Sequence, residues 1–65
     1  MNIKLNGNNF EINAVTIEQL IKELGLIDKR IAVEVNKNVI TKTEHSNYCL
    51  KNDDVVEIIR AVGGG

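Results

Sequence analysis

No proline occurs in this 65-residue chain, cysteine appears once, as Cys49, and the only aromatic residues are Phe10 and Tyr48. Without proline there is neither a rigid polyproline spacer nor a proline-rich ligand segment. A lone cysteine rules out an internal disulfide, so a disulfide-stapled secreted scaffold is excluded and a reducing, cytoplasmic setting is expected. With aromatic residues at 3%, a core has to be assembled from Ile, Val and Leu. Excess charge of one sign is missing too. Eight Lys and Arg stand against nine Asp and Glu, for a formal charge of −1. That balance supplies neither the cationic footprint of a nucleic-acid binder nor a polybasic membrane patch. No apolar run approaches the roughly 20 residues that a spanning helix needs. The chain opens on strand-like Met1-Asn2-Ile3-Lys4, and no leader is expected before it. A soluble protein, monomeric on its own, is the expectation.

What is present suits one small α+β domain. Hydrophobic residues make up 43% of the chain, a globular rather than a disordered composition. Ile3 and Leu5 alternate with Lys4 and Asn6, the period of a half-buried strand. Gly7-Asn8-Asn9 then signals a turn, and Phe10 and Ile12 alternate with Glu11 and Asn13 as the second arm of a hairpin. Thr16 with Gln19 forms a capping-box pattern, and Val15 with Leu20 is placed for a hydrophobic staple. Ile17, Leu20, Ile21 and Leu24 fall on one helical stripe, and Gly25 is suited to the left-handed residue that ends a helix. Leu26 is placed to pack back on Ile21.

Ile31, Val33 and Val35 mark a third strand, Asn36-Lys37-Asn38 a turn, and Val39-Ile40 a short fourth strand. Thr41 to Leu50 lacks a period and reads as a loop or short helical turn. Asn52-Asp53-Asp54 turns the chain into a last strand from Val55 to Val62. Val55, Val56, Ile58 and Ile59 put apolar side chains on both of its faces, which places it inside the sheet. If the first and last strands are neighbours they must be parallel, with the helix in the crossover between them.

Candidate chemistry is sparse. His45 and Cys49 are four residues apart, but no third group is evident to orient a nucleophile pair. His45, in a polar Thr-Glu-His-Ser run, reads as a solvated surface residue, and Cys49 as a small buried hydrophobe. One Cys and one His fall short of the ligand count of a zinc site. Lys29-Arg30 beside Asp28 reads as a solvated turn, and Asp53-Asp54 as turn chemistry. No catalytic residue, no metal site and no cofactor bound by the chain itself are expected.

The exception is the run Val62-Gly63-Gly64-Gly65. Terminal residues commonly fray, and glycines there carry no meaning on most chains. A side-chain-free arm can also thread a narrow channel in another protein. The carboxylate of Gly65 would then be the reacting group. A carboxylate becomes electrophilic once ATP-dependent adenylation turns one oxygen into a leaving group, and a thiol or persulfide can then attack. Such chemistry needs a thin end and no acid–base residues on the domain itself.

These features together resemble the ThiS family of small sulfur carriers. The opening strand and turn, the helix start Thr16-Ile17-Glu18-Gln19-Leu20-Ile21, the strand Ile31-Ala32-Val33-Glu34-Val35-Asn36 and the segment Asp53-Asp54-Val55-Val56-Glu57-Ile58-Ile59 stand in the family's order ahead of the glycine tail. Asp53 occupies a position where a turn glycine is common. The resemblance covers the whole chain and rests on that order rather than on any single motif.

It implies a ubiquitin-like β-grasp fold. A mixed sheet of four to five strands would have one main helix across it, with a domain over 1–62 and a flexible tail over 63–65. It also implies that Gly65 is adenylated by a ThiF-type adenylyltransferase using ATP and Mg. A persulfide enzyme would then supply sulfur to give a thiocarboxylate, and thiazole synthase (ThiG) would receive it for thiamine. Gly63 and Gly64 would occupy the partner's active-site channel, and Arg60 and Val62 would touch the partner beside the tail. Three alternatives remain. They are a carrier like MoaD, serving molybdopterin synthesis; a ubiquitin-like modifier; and a β-grasp interaction module with no transfer chemistry.

Overall fold

The computed structural model describes residues 1–60. Five strands, one α-helix and one 3-10 turn follow in the order β1 (Asn2–Leu5), β2 (Asn8–Glu11), α1 (Ile17–Glu23), β3 (Ile31–Val35), β4 (Asn38–Ile40), the 3-10 turn Lys42–Glu44 and β5 (Val55–Arg60). The sheet order is β2-β1-β5-β3-β4. β1 pairs antiparallel with β2 and parallel with β5, and β5 and β4 both pair antiparallel with β3. The α+β reading therefore holds, with the first and last strands side by side and parallel.

Both hairpins close through two-residue loops. Asn6 and Gly7 have φ of 50° and 86°, and Asn36 and Lys37 have φ of 51° and 71°. Positive φ at both loop positions matches the right-handed twist of the flanking strands. The turns are thus Asn6-Gly7 and Asn36-Lys37. Asn8 and Asn9 belong to β2, and Asn38 to β4, so the three-residue turns read from the sequence each sit slightly off the true ones. At Asp53 φ is 73°, the left-handed geometry for which the sequence offers Asp in place of glycine.

The helix is short and fully capped. The Thr16 hydroxyl accepts from the Gln19 N–H at 3.2 Å, and Gln19 Oε1 accepts from the Thr16 N–H at 3.4 Å and the Val15 N–H at 2.8 Å. The remaining first-turn donors are met from outside, Ile17 by the Tyr48 carbonyl at 3.2 Å and Glu18 by the His45 carbonyl at 3.0 Å. At the other end Gly25, at φ 72°, donates to Lys22 O, and Leu26 donates to Ile21 O. That pair of bonds is a Schellman motif. Leu26 packs against the core, as its spacing from Ile21 suggests. Val15 differs from expectation. It stays 51% exposed, and its carbonyl receives the Leu50 N–H at 2.7 Å, so this residue is fixed by backbone pairing with the 45–50 loop.

One helix covers one face of the sheet. Ile17, Leu20 and Ile21 meet Ile3, Val33, Val35 and Val56 in a core of aliphatic side chains. Burying each such side chain contributes about 1.5–3 kcal/mol. The opposite face has no covering layer among the described residues, and Val55, Val39 and Ile59 are exposed there. Placing β5 inside the sheet is borne out. Its alternate residues, however, face solvent rather than a second layer, because the described residues supply a single helix.

Candidate functional site

β5 is the element that delivers the tail. It lies between β1 and β3, with five register pairs to β3 from Ile31↔Arg60 to Val35↔Val56. On the other side Lys4 N–H donates to Asp54 O and Asn6 N–H to Val56 O, both at 2.9 Å. Asn6 Oδ1 extends that ladder by accepting the Ile58 N–H at 2.9 Å. Arg60 is exposed and ends the strand. Alternation puts it on the side of Val56 and Ile58, the helix side of the sheet. Val62, Gly63, Gly64 and Gly65 lie outside the described residues, as does the boundary between the 1–62 domain and the tail.

The start of β5 is held by a polar knot. Asp54 accepts the Lys51 N–H at 2.8 Å and Asn36 Nδ2–H at 3.1 Å, while Asn36 Oδ1 accepts the Val55 N–H at 3.0 Å. Asp54 is buried, and its carboxylate spends itself on these donors. The Asp53-Asp54 pair thus serves the turn, as its sequence suggests.

His45 and Cys49 exchange the environments expected of them. His45 is buried, and its Nε2 lies 3.2 Å from Ile40 O, a carbonyl that can only accept. Nε2 therefore carries a proton. Its backbone carbonyl caps α1, so the loop turns this residue inward. Cys49 is exposed, because the backbone bridge Thr16↔Cys49 leaves Tyr48 and Leu50 to face the core. The polar neighbours of His45 gave no sign of this, since its burial is set by capping contacts distant in sequence. A buried ring bonded to a carbonyl is placed to hold the loop, not to activate an exposed thiol.

A groove of about 650 Å³ opens at the end of the sheet where β5 finishes, with Leu26, Ile31 and Ile59 in its walls and Lys29, Lys42 and His45 around them. β4 pairs only with Val33–Val35, so Ile31 and Ala32 are left at the rim, which is why the groove forms there. Lys29 and Arg30 line it with Asp28, and Arg30 has interactions of its own. Among the described residues no group of three or more His, Cys, Asp or Glu is arranged to hold a metal. No helix among them is long and apolar enough to cross a membrane.

β5, the last described strand, is central in the sheet and paired on both sides. The model of the ThiS family matches residues 3–65. The chain belongs to the ThiS family. Its relatives include the sulfur carrier protein ThiS of Bacillus subtilis, 35% identical over 65 residues that cover 97% of this chain and 98% of the relative. A thiazole synthase of Magnetococcus marinus is 36% identical over 66 residues, which take in all of this chain but 20% of that protein. The ThiS-family chain thus spans about a fifth of the length of such thiazole synthases. The crystal structure of the thiamine biosynthesis protein ThiS from Geobacter metallireducens superposes with a TM-score of 0.84 at 25% identity, covering both chains completely. The β-grasp fold expected of the ThiS family is thereby shown.

Proposed function

We propose that this protein is a sulfur carrier for thiamine biosynthesis, with the carboxyl carbon of Gly65 as the reacting atom. The observation that carries the reading is the central β5, hydrogen-bonded on both sides and followed in the sequence by Ala61-Val62 and three glycines. In the proposed cycle a ThiF-type adenylyltransferase with Mg-ATP joins the carboxylate to AMP and releases pyrophosphate. A persulfide sulfur displaces AMP, and a thiol then cleaves the resulting acyl disulfide to leave a thiocarboxylate. Thiazole synthase receives that sulfur. Each step takes place in a partner, so the carrier needs a thin end and a recognisable body. Gly63 and Gly64 suit a narrow channel because they add no Cβ. Arg60 and Val62, next to the tail, are proposed partner contacts, and the setting is proposed to be cytoplasmic. Support for the thiazole synthase assignment comes from the proteins of that name that contain a stretch matching this whole chain.

The test is intact mass after incubation with the activating enzyme, Mg-ATP and a persulfide source. One sulfur-for-oxygen exchange on Gly65 is expected. Modification elsewhere, or none, would overturn the reading. A chain lacking residues 63–65 is expected to melt as the full chain does yet accept no sulfur.

A further inference from the structure

On the uncovered face of the sheet, β3 and β5 place Glu34 directly opposite Glu57. Antiparallel partners hold their Cβ atoms about 4.5–5.5 Å apart, and like charges at that spacing repel. Among the described residues neither carboxylate is met by a hydrogen-bond donor or a cation. Lys4 is the adjacent base by register, opposite Val55, and no ion pair joins it to Glu57. The pair is framed by apolar surface. Val39 stands opposite Glu34 and is 66% exposed, while Ile59 and Val55 flank Glu57 along β5 at 53% and 42%. Two unpaired carboxylates inside an apolar collar form a surface complementary to a cation carried on an apolar protein patch.

We infer that this face docks thiazole synthase, with one arginine or lysine of that enzyme inserted between Glu34 and Glu57. The inference rests on the carrier reading above. A guanidinium fork can serve two carboxylates at once, which turns their mutual repulsion into two charge-assisted hydrogen bonds. Reach is compatible with this face. Five residues follow Arg60, and five residues extend at most about 17 Å. Glu57 lies about 10 Å back along β5 at the usual strand rise. An enzyme that holds Gly65 in its active site is therefore within reach of the end of β5 that carries Glu57. The choice of thiazole synthase over the activating enzyme follows from the relatives in Magnetococcus marinus and Paramagnetospirillum magneticum, where a match to this entire chain lies within a thiazole synthase.

The experiment is titration of thiazole synthase with the full-length chain and its Glu57→Gln and Glu57→Lys variants at low and high salt. Wild-type binding is expected to weaken as salt rises, because the contact is charged. Glu57→Lys is expected to bind about tenfold or more weakly and Glu57→Gln by a smaller factor, with the weakening by salt reduced in Glu57→Gln and absent or reversed in Glu57→Lys. Amide shifts in the wild-type complex should gather at Val39, Val55, Glu57 and Ile59 and spare α1. Sulfur loading of Glu57→Lys by the activating enzyme should proceed at the wild-type rate.

Unchanged affinity in both variants overturns the inference, as do shifts confined to the helix side. Loss of sulfur loading in Glu57→Lys also overturns it, since the face would then serve activation. Glu57→Gln is nearly isosteric and keeps the test valid should Glu57→Lys alter the fold. A wild-type chain that binds through Glu57 but never gains sulfur overturns the carrier reading alone. One that gains sulfur but binds through another face overturns this inference alone.

Discussion

Lys37 and Asp53 sit in left-handed backbone, at φ 71° and 73°, where a side chain normally raises the energy by about 1–2 kcal/mol. Glycine removes that strain but brings back freedom to the unfolded chain. Lys37→Gly and Asp53→Gly are each expected to gain a net stability of about 0.5–1 kcal/mol, read as a higher urea midpoint at unchanged slope. Gly25→Ala tests the reverse. Its φ is 72° and nothing lies within 4 Å of an added Cβ, so the whole loss, about 1 kcal/mol, comes from the backbone. His45→Ala removes the ring N–H that faces Ile40 O. A cost of about 1–3 kcal/mol is expected from the loss of this buried ring and its hydrogen bond.

At the scale of elements, the helix depends on its caps because a single two-turn segment of seven residues is far too short to persist alone. Thr16→Ala is expected to cost about 1 kcal/mol in chemical denaturation. The cap, the Gly25 stop and the apolar stripe were all legible from the sequence, since each depends on residues within one turn of one another. The hairpins were legible too, although their turns were read slightly out of place. Asn6-Gly7 carries the stronger two-residue signal, and the run of asparagines after it obscured the boundary. His45 and Cys49 show where local reading stops. The side each faces is decided by bonds from Ile17, Glu18 and Thr16 to the 45–50 loop, some thirty residues earlier in the chain. Glu34 and Glu57 were hidden for the same reason. Each looks like an ordinary outward glutamate, and only the β3–β5 register brings them together. That register has a consequence at this scale. Glu57→Gln is expected to raise stability by about 0.2–1 kcal/mol as cross-strand repulsion is removed, measured by thermal melting in low salt.

At the scale of the whole molecule, the described residues form one core cluster beneath one helix, and a domain of this size has little stability in reserve. Leu20 is fully buried at the centre of that cluster. Leu20→Ala is expected to cost about 2–5 kcal/mol, enough to leave much of the protein unfolded at 37 °C by circular dichroism. The fold class was readable because strand and helix periods are distinct and the chain is short enough to allow few topologies. The functional reading came from the glycine run and the order of motifs. The shape of the docking face came only from the assembled sheet, because a face combines residues from four strands.

The parallel placement of β1 and β5 bears finally on mechanics. Under the proposed function, an enzyme that draws on the residues after Arg60 would load β5 lengthwise. The Lys4, Asn6 and Ile58 N–H bonds on one side and the register with β3 on the other lie across that line of force. The load is therefore shared in shear over both ladders, and no bond can be peeled open singly from an end. A body built this way can be tugged at its tip, turn after turn, and hold its shape.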